Sequence, residues 1–187
     1  ELIVIALSQL MPYSGQLEAA VKPLVYESIL KSSVPEIDLW KAVVQGNLDA
    51  IKQHVSAGSN LNAKEPTGGC TPLMVATLYG QTDAVKLLIE TGANINARHN
   101  DGGTALHLAA LFCRTPIVKL LLDKGADVTV KDIRGDTALD IVTSPWSPEL
   151  EGVYRYLEGV LHLQLDMGRL KATRPKIAAI LREYERK

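Results

Sequence analysis

Four histidines, two cysteines and a run of aspartates are the side chains here that could do chemistry. Imidazoles and thiolates hold zinc when a second such ligand stands three or four residues away on one helix face. No second histidine or cysteine stands at that spacing from His54, His99, His107 or His162. Asp127, Asp132, Asp136 and Asp140 resemble a carboxylate cluster that could share acid–base work. Their order follows a repeated turn, however, and they are read as solvated loop acids. Cys70 and Cys113 lack a C-x-x-C spacing and are expected as free thiols. There is no G-x-G-x-x-G, Walker loop, G-x-S-x-G or H-E-x-x-H. The expectation is therefore no enzyme, no cofactor and no metal.

Composition bounds the remaining classes. The 187 residues are 47% apolar and 22% charged, with a formal net charge of −1 and a pI near 6.5. That excludes a mainly disordered chain and a whole-domain basic footprint for nucleic acid. One Phe, two Trp and six Tyr leave the core to Leu, Ile, Val and Ala, which suits closely packed short helices. Basic charge collects at the end, where Arg169, Lys171, Arg174, Lys176, Arg182, Arg186 and Lys187 face only Glu183 and Glu185, a local net of +5. This run is read as the solvated face of a helix that turns Ile177, Ile180, Leu181 and Tyr184 inward, rather than as a nucleic-acid or lipid patch.

The elements that position these residues come from internal repetition. A shift of 34 lays Leu39, Ala42, Gly46, Asp49-Ala50, Gly58, Asn60 and Asn62 on Leu73, Ala76, Gly80, Asp83-Ala84, Gly92, Asn94 and Asn96. A shift of 33 then lays Thr71, Leu73, Ala76, Val85–Leu88 and Gly92-Ala93 on Thr104, Leu106, Ala109, Val118–Leu121 and Gly125-Ala126. A further 33 brings Thr104-Ala105-Leu106 onto Thr137-Ala138-Leu139, after which the pattern breaks. Each unit reads as two short helices and a turn. In the second unit Thr71-Pro72 opens a helix that Gly80 ends, and Asp83 to Glu90 forms its partner with Val85, Leu88 and Ile89 at helical spacing.

The run Thr104-Ala105-Leu106-His107-Leu108-Ala109-Ala110, followed by Ile117–Leu122 and Gly125-Ala126-Asp127-Val128, closely resembles the ankyrin repeat. Thr71-Pro72-Leu73-Met74 and Gly92–Ala97 carry the same resemblance in the preceding unit. It implies an all-α solenoid of about four helix-turn-helix repeats with helical caps, and a binding scaffold as its use. It also implies that His107 hydrogen-bonds nearby backbone and a Thr hydroxyl. The expected division is an N-terminal extension and capping helix over 1–34, repeats over 35–143 (35–69, 70–102, 103–135 and a partial 136–143), and a divergent helical cap over 144–187. Gln16 to Lys31 is expected as the first capping helix, and Ser33–Glu36 as a capping box before the first repeat helix. The Ser144–Pro148 loop leads to helices from about Pro148 to His162 and from about Thr173 to Arg186. Cys113 stands where the other units place Gly46 and Gly80, so it either adopts a left-handed backbone or forces a different helix end.

The resemblance implies a recognition groove made of the turn tips and the exposed side of each first helix. At one register late in that helix stand Val44-Gln45, Leu78-Tyr79 and Leu111-Phe112, with Pro145-Trp146 following. Gln45, Leu78, Tyr79, Leu111, Phe112 and Trp146 are expected as an exposed contact row, with Glu65, Asn100, Asp101, Ile133 and Arg134 as its polar rim. The competing expectation is that a terminal segment folds back over the row. The partner is expected to be a protein or peptide, one version being an enzyme that is inhibited or sequestered, with no nucleic acid and no membrane insertion, and with the chain a monomer. The rival reading is an accessory domain of a larger enzyme or signalling protein, which the start at Glu1 rather than Met leaves open. Leu2–Leu7 is too short to span a bilayer and is read as a buried strand or helix turn, or the tail of a signal peptide. The compartment stays undecided between cytoplasm and export.

Overall fold

The structure, a computed structural model, describes residues 37–186. The expected N-terminal helix, its capping box and the Leu2–Leu7 run lie outside the described residues. Nine helices and no strand are found among those described. Three units each supply an inner and an outer helix: α1 (Leu39–Gln45) and α2 (Leu48–Ser56), α3 (Pro72–Tyr79) and α4 (Thr82–Glu90), α5 (Ala105–Leu111) and α6 (Thr115–Asp123). A fourth inner helix, α7 (Ala138–Thr143), precedes α8 (Pro148–Leu161) and α9 (Met167–Glu185).

Local chemistry sets the inner helices. Thr71, Thr104 and Thr137 sit extended at the N-caps, and the Thr71 and Thr137 hydroxyls accept the N–H groups of Met74 and Asp140 at 3.4 and 3.2 Å. Gly46 and Gly80 end α1 and α3 in the left-handed region, at φ of 66° and 76°. Cys113 adopts the same region at φ 53°, so the third unit keeps the turn and places a side chain in it. Successive inner helices pack side by side, α1 on α3, α3 on α5 and α5 on α7. The outer helices bury one stripe each, Ala50 and Ile51, then Ala84, Val85 and Leu88, then Ile117, Val118, Leu121 and Leu122. The resulting core is aliphatic, and Phe112 and Tyr154 are the fully buried aromatics among the described residues.

The repeated asparagines tie the units together. Asn62 Oδ1 accepts the Asn94 N–H at 2.7 Å, and Asn96 Oδ1 accepts the Asp127 N–H at 2.9 Å, one unit further on. A second series runs at the other end of the inner helices. Gln81 Nε2 donates to the Val44 carbonyl at 2.8 Å, and Arg114 Nη2 donates to the Leu78 carbonyl at 3.1 Å.

The fourth unit departs from the expected partial repeat. Its outer helix is α9, which packs on α7 and α6. The start of α9 lies at the start of α6, with Cys113 Sγ against the Leu170 carbonyl at 3.6 Å, and its end lies at Asp123, which Tyr184 Oη contacts. α9 therefore runs alongside α6 in the same direction, as an outer helix should. Residues 144–166 are an insertion between the inner and outer helices of that unit, and α8 is its helix. α9 also begins six residues before the expected Thr173, because Asp166 caps it by accepting the Arg169 N–H at 2.9 Å. Pro175 lies inside it on an exposed turn.

Candidate functional site

The expected contact row is covered rather than open. Phe112 is 1% exposed and Leu78 9%, while Tyr79, Leu111 and Trp146 are half-buried; only Gln45 is freely exposed. The cause is α8, which lies across the ends of α5 and α3. Tyr154 Oη donates to the Leu111 carbonyl at 2.8 Å, and Tyr79 Oη donates to the Leu161 carbonyl at 3.2 Å. Trp146 stacks on Tyr154 with ring centroids 5.6 Å apart and planes 14° apart. Phe112 and Leu78 are thus buried side chains, and the row is not a free aromatic surface. The alternative in which a terminal segment folds back is what the C-terminal insertion does.

Tyr154 also completes the carbonyl series of the inner helices. The Val44 and Leu78 carbonyls are met by the next unit's residue, and the Leu111 carbonyl is met by Tyr154. On its other side Tyr154 Oη accepts from Arg174 Nη1 at 3.1 Å. Arg174 is 4% exposed, and its Nη2 donates to the Ile141 and Ser144 carbonyls at 2.6 and 2.8 Å. This corrects the reading of the basic tail as wholly solvated. Ile177 and Leu181 turn inward as expected, and so does Arg174. The sequence carries no signal for Arg174, since its partners are carbonyls 30 or more residues away and an oxygen of Tyr154.

The rim residues fall into two groups. Asn100, Asp101, Ile133 and Arg134 are exposed, Ile133 at 71%. Glu65 instead closes its own turn, accepting the N–H groups of Thr67, Gly68 and Cys70 at 2.6, 2.5 and 3.2 Å. Slight burial works to raise its pKa, but these backbone donors outweigh that and hold the carboxyl below its ordinary range. At the equivalent place one unit on, His99 Nδ1 accepts the Asp101 N–H at 3.1 Å, and one unit further Asp132 Oδ1 accepts the Arg134 N–H at 2.8 Å. Three residue types fill one acceptor position, which is why the sequence repeat does not reveal it. The tips are also strung together by backbone. Asn100 N–H donates to the Gly68 carbonyl at 3.0 Å, and Ile133 N–H donates to the Asp101 carbonyl at 2.9 Å.

The groups singled out for chemistry hold structure. His107 Nδ1 accepts from the Thr104 N–H at 3.1 Å and the Thr104 hydroxyl at 3.0 Å, which leaves Nε2 to donate to the Asp136 carbonyl at 3.2 Å. Burial, against the Asp136 hydrogen bond, holds its pKa below the ordinary 6.5. His54 bridges the Ile37 carbonyl at 2.7 Å and the Ser59 hydroxyl at 3.0 Å. Asp127, Asp132 and Asp140 each accept backbone N–H groups of their own turns. Among the described residues no three His, Cys, Asp or Glu side chains converge as a metal site would require. Cys70 and Cys113 are free, and burial pushes both thiols up to about 11, where little nucleophilic thiolate forms at neutral pH. No helix among the described residues is long and apolar enough to cross a membrane.

A stack of inner and outer helix pairs, the second to fourth opened by Thr and the first three closed in the left-handed region, with polar tips and no converged catalytic group among the described residues, is the architecture of a repeat scaffold. The family model for ankyrin repeats (3 copies) matches residues 39–132, and the chain belongs to the ankyrin-repeat proteins. Such repeats are generally protein–protein interaction modules and typically non-catalytic. No curated protein matches the chain.

Proposed function

We propose that the chain is a non-enzymatic module that binds a partner protein through the turn tips of its second to fourth units. The observation that carries this reading is Ile133, a large apolar side chain left 71% exposed on a hydrogen-bonded ledge. Exposed apolar anchors on rigid backbone bind with little ordering entropy. Arg134, Asn100 and Asp101 surround it with charge and hydrogen-bonding groups, as a polar rim does. Gln45 lies off this ledge on the first unit. A rigid ledge of this kind suits the sequestering of a folded partner, an enzyme among them, better than the wrapping of a disordered one.

The immobilised chain should capture one dominant protein from its native extract, identified by mass spectrometry. Ile133→Asp and Arg134→Ala should each weaken that capture by about tenfold or more, with the melting temperature unchanged. Capture that both variants leave intact, or turnover by the purified chain, would overturn the reading.

A further inference from the structure

The surface beneath α8 is unusually charged for a place covered by the chain itself. Arg174 is buried there, and its hydrogen bonds go to two carbonyls and a tyrosine hydroxyl. Arg114 lies one unit back, folded over Gly80, with Nη2 on the Leu78 carbonyl. Its Nε is the side-chain nitrogen or oxygen that, among the described residues, is buried with no hydrogen-bond partner. Neither arginine, nor Arg169 beside them, has a carboxylate within ion-pair distance among the described residues. Buried guanidinium groups ordinarily meet an acid. The covering helix does not supply one inward: Tyr154 and Leu161 contact the groove, and Glu158 is turned aside to accept the Leu165 N–H at 2.8 Å.

α8 is held lightly for a helix of 14 residues. Tyr154 is its single fully buried side chain, with Leu150 partly buried against the core, and its other tethers include the Trp146 stack and the Tyr79 hydroxyl. Its outer face carries Val153, Tyr156 and Val160, three of the four large hydrophobics left exposed among the described residues. A helix apolar on both faces is incompletely accommodated by one docking.

We propose that α8 is a displaceable strap over a second recognition groove, floored by the ends of α3 and α5, and that this groove accepts an amphipathic helix of a partner protein carrying a tyrosine followed one turn later by an acidic residue. α8 itself shows what fits: a helix laid across the inner-helix ends, with a tyrosine hydroxyl between the Leu111 carbonyl and Arg174. On such a helix the residue at the place of Leu157 shares the inward side with Tyr154 and Leu161, over the same step from the third unit to the second that Arg114 crosses to reach the Leu78 carbonyl. A carboxylate there supplies the acceptor that Arg114 Nε lacks, through a charge-assisted bond stronger than any neutral one. The groove survives the exchange, because the Ile141 and Ser144 carbonyls keep Arg174 in place when Tyr154 leaves. α8 then acts as a tethered competitor that lowers the partner's apparent affinity by the fraction of time it is seated. This goes beyond the tip ledge and rests on the reading above only in taking the chain to bind proteins.

The test uses the full chain and three labelled synthetic peptides spanning residues 147–163: the natural sequence, Leu157→Glu and Leu157→Gln. Fluorescence anisotropy should show the Glu peptide binding about tenfold tighter than the Gln peptide, an advantage that disappears in Arg114→Gln. Should that variant fail to fold, the exposed Arg169→Gln should reduce the same advantage. Hydrogen exchange on the unmodified chain should show α8 amides opening locally while those of α5 exchange only with global unfolding. Equal binding of the Glu and Gln peptides, no binding by any of them, or α8 amides as protected as those of α5 would overturn the proposal. Ile133→Asp should leave peptide binding unchanged, so failure of the ledge and failure of the strap are separately visible.

Discussion

His107 is the residue whose chemistry most directly couples the fold to its surroundings. Both ring nitrogens are engaged in one tautomer, with Nδ1 accepting and Nε2 donating. Burial disfavours the charge, and a proton on Nδ1 would break the bond from the Thr104 N–H and force the Thr104 hydroxyl to accept instead of donate, so the folded pKa lies below 6.5. Burial lowers His99 likewise. Between the folded value and 6.5 the unfolded chain binds more protons than the folded one. The stabilisation is complete above that window and is lost as pH falls through it. Urea midpoints should therefore drop between pH 7.5 and 5.5, and His107→Gln should flatten the dependence while lowering the midpoint at pH 7.5. Phe112 gives the second expectation at this scale. Removing its buried ring should destabilise by about 3–5 kcal/mol, measured by chemical denaturation, so Phe112→Ala acts on folding and not on a free contact surface.

At the scale of elements, the caps decide where helices begin. Asp166→Ala removes the acceptor for the Arg169 N–H and should cost about 1 kcal/mol, read as a lower urea midpoint with the first turn of α9 frayed in hydrogen exchange. The three complete units were legible in the sequence because their determinants are local: Thr opening the second and third inner helices, Gly closing the first and second, and an aliphatic stripe in each. His107 was legible for the same reason, its main partner being three residues away. The covered row was not. Whether Phe112 faces water depends on a helix 36 residues later in the chain, and periodicity within a unit says nothing about that. The outer helix of the fourth unit was hidden in the same way, because an insertion displaced it from its expected offset and left α8 standing at that offset instead. Tyr154, Arg114 and Arg174 escaped notice because their partners are main-chain carbonyls and a phenol oxygen, which leave no residue pattern to read.

For the whole molecule, the order of importance of the last two helices is the reverse of their order in the chain. α9 closes the core against α7 and α6, burying Leu170, Ile177, Ala178 and Leu181, whereas α8 buries only Tyr154. Replacing residues 145–165 by a flexible linker of about ten residues should leave a cooperative four-unit stack with a modestly lowered melting temperature. Truncation after Leu165 should instead expose Ala138, Val142 and the outward side of α6, and should abolish cooperative melting of the third and fourth units, since in a stack each unit depends on its neighbour.

The two ends of α8 also make it a gauge. Tyr154 stands at the third unit and Leu161 at the second, and the seven-residue step from one to the other rises about 10 Å in a helix, which matches the 8–10 Å spacing of packed helices. The helix spans one step of the stack. A duplicated unit inserted between the third and fourth, as repeat arrays readily gain, would still offer a carbonyl to Tyr154. Its other end would then arrive at Phe112 rather than Tyr79, where no hydroxyl waits to hold it. The adjacency of the second and third units is thus written into the chain twice, once as repeats and once as the length of the helix laid across them.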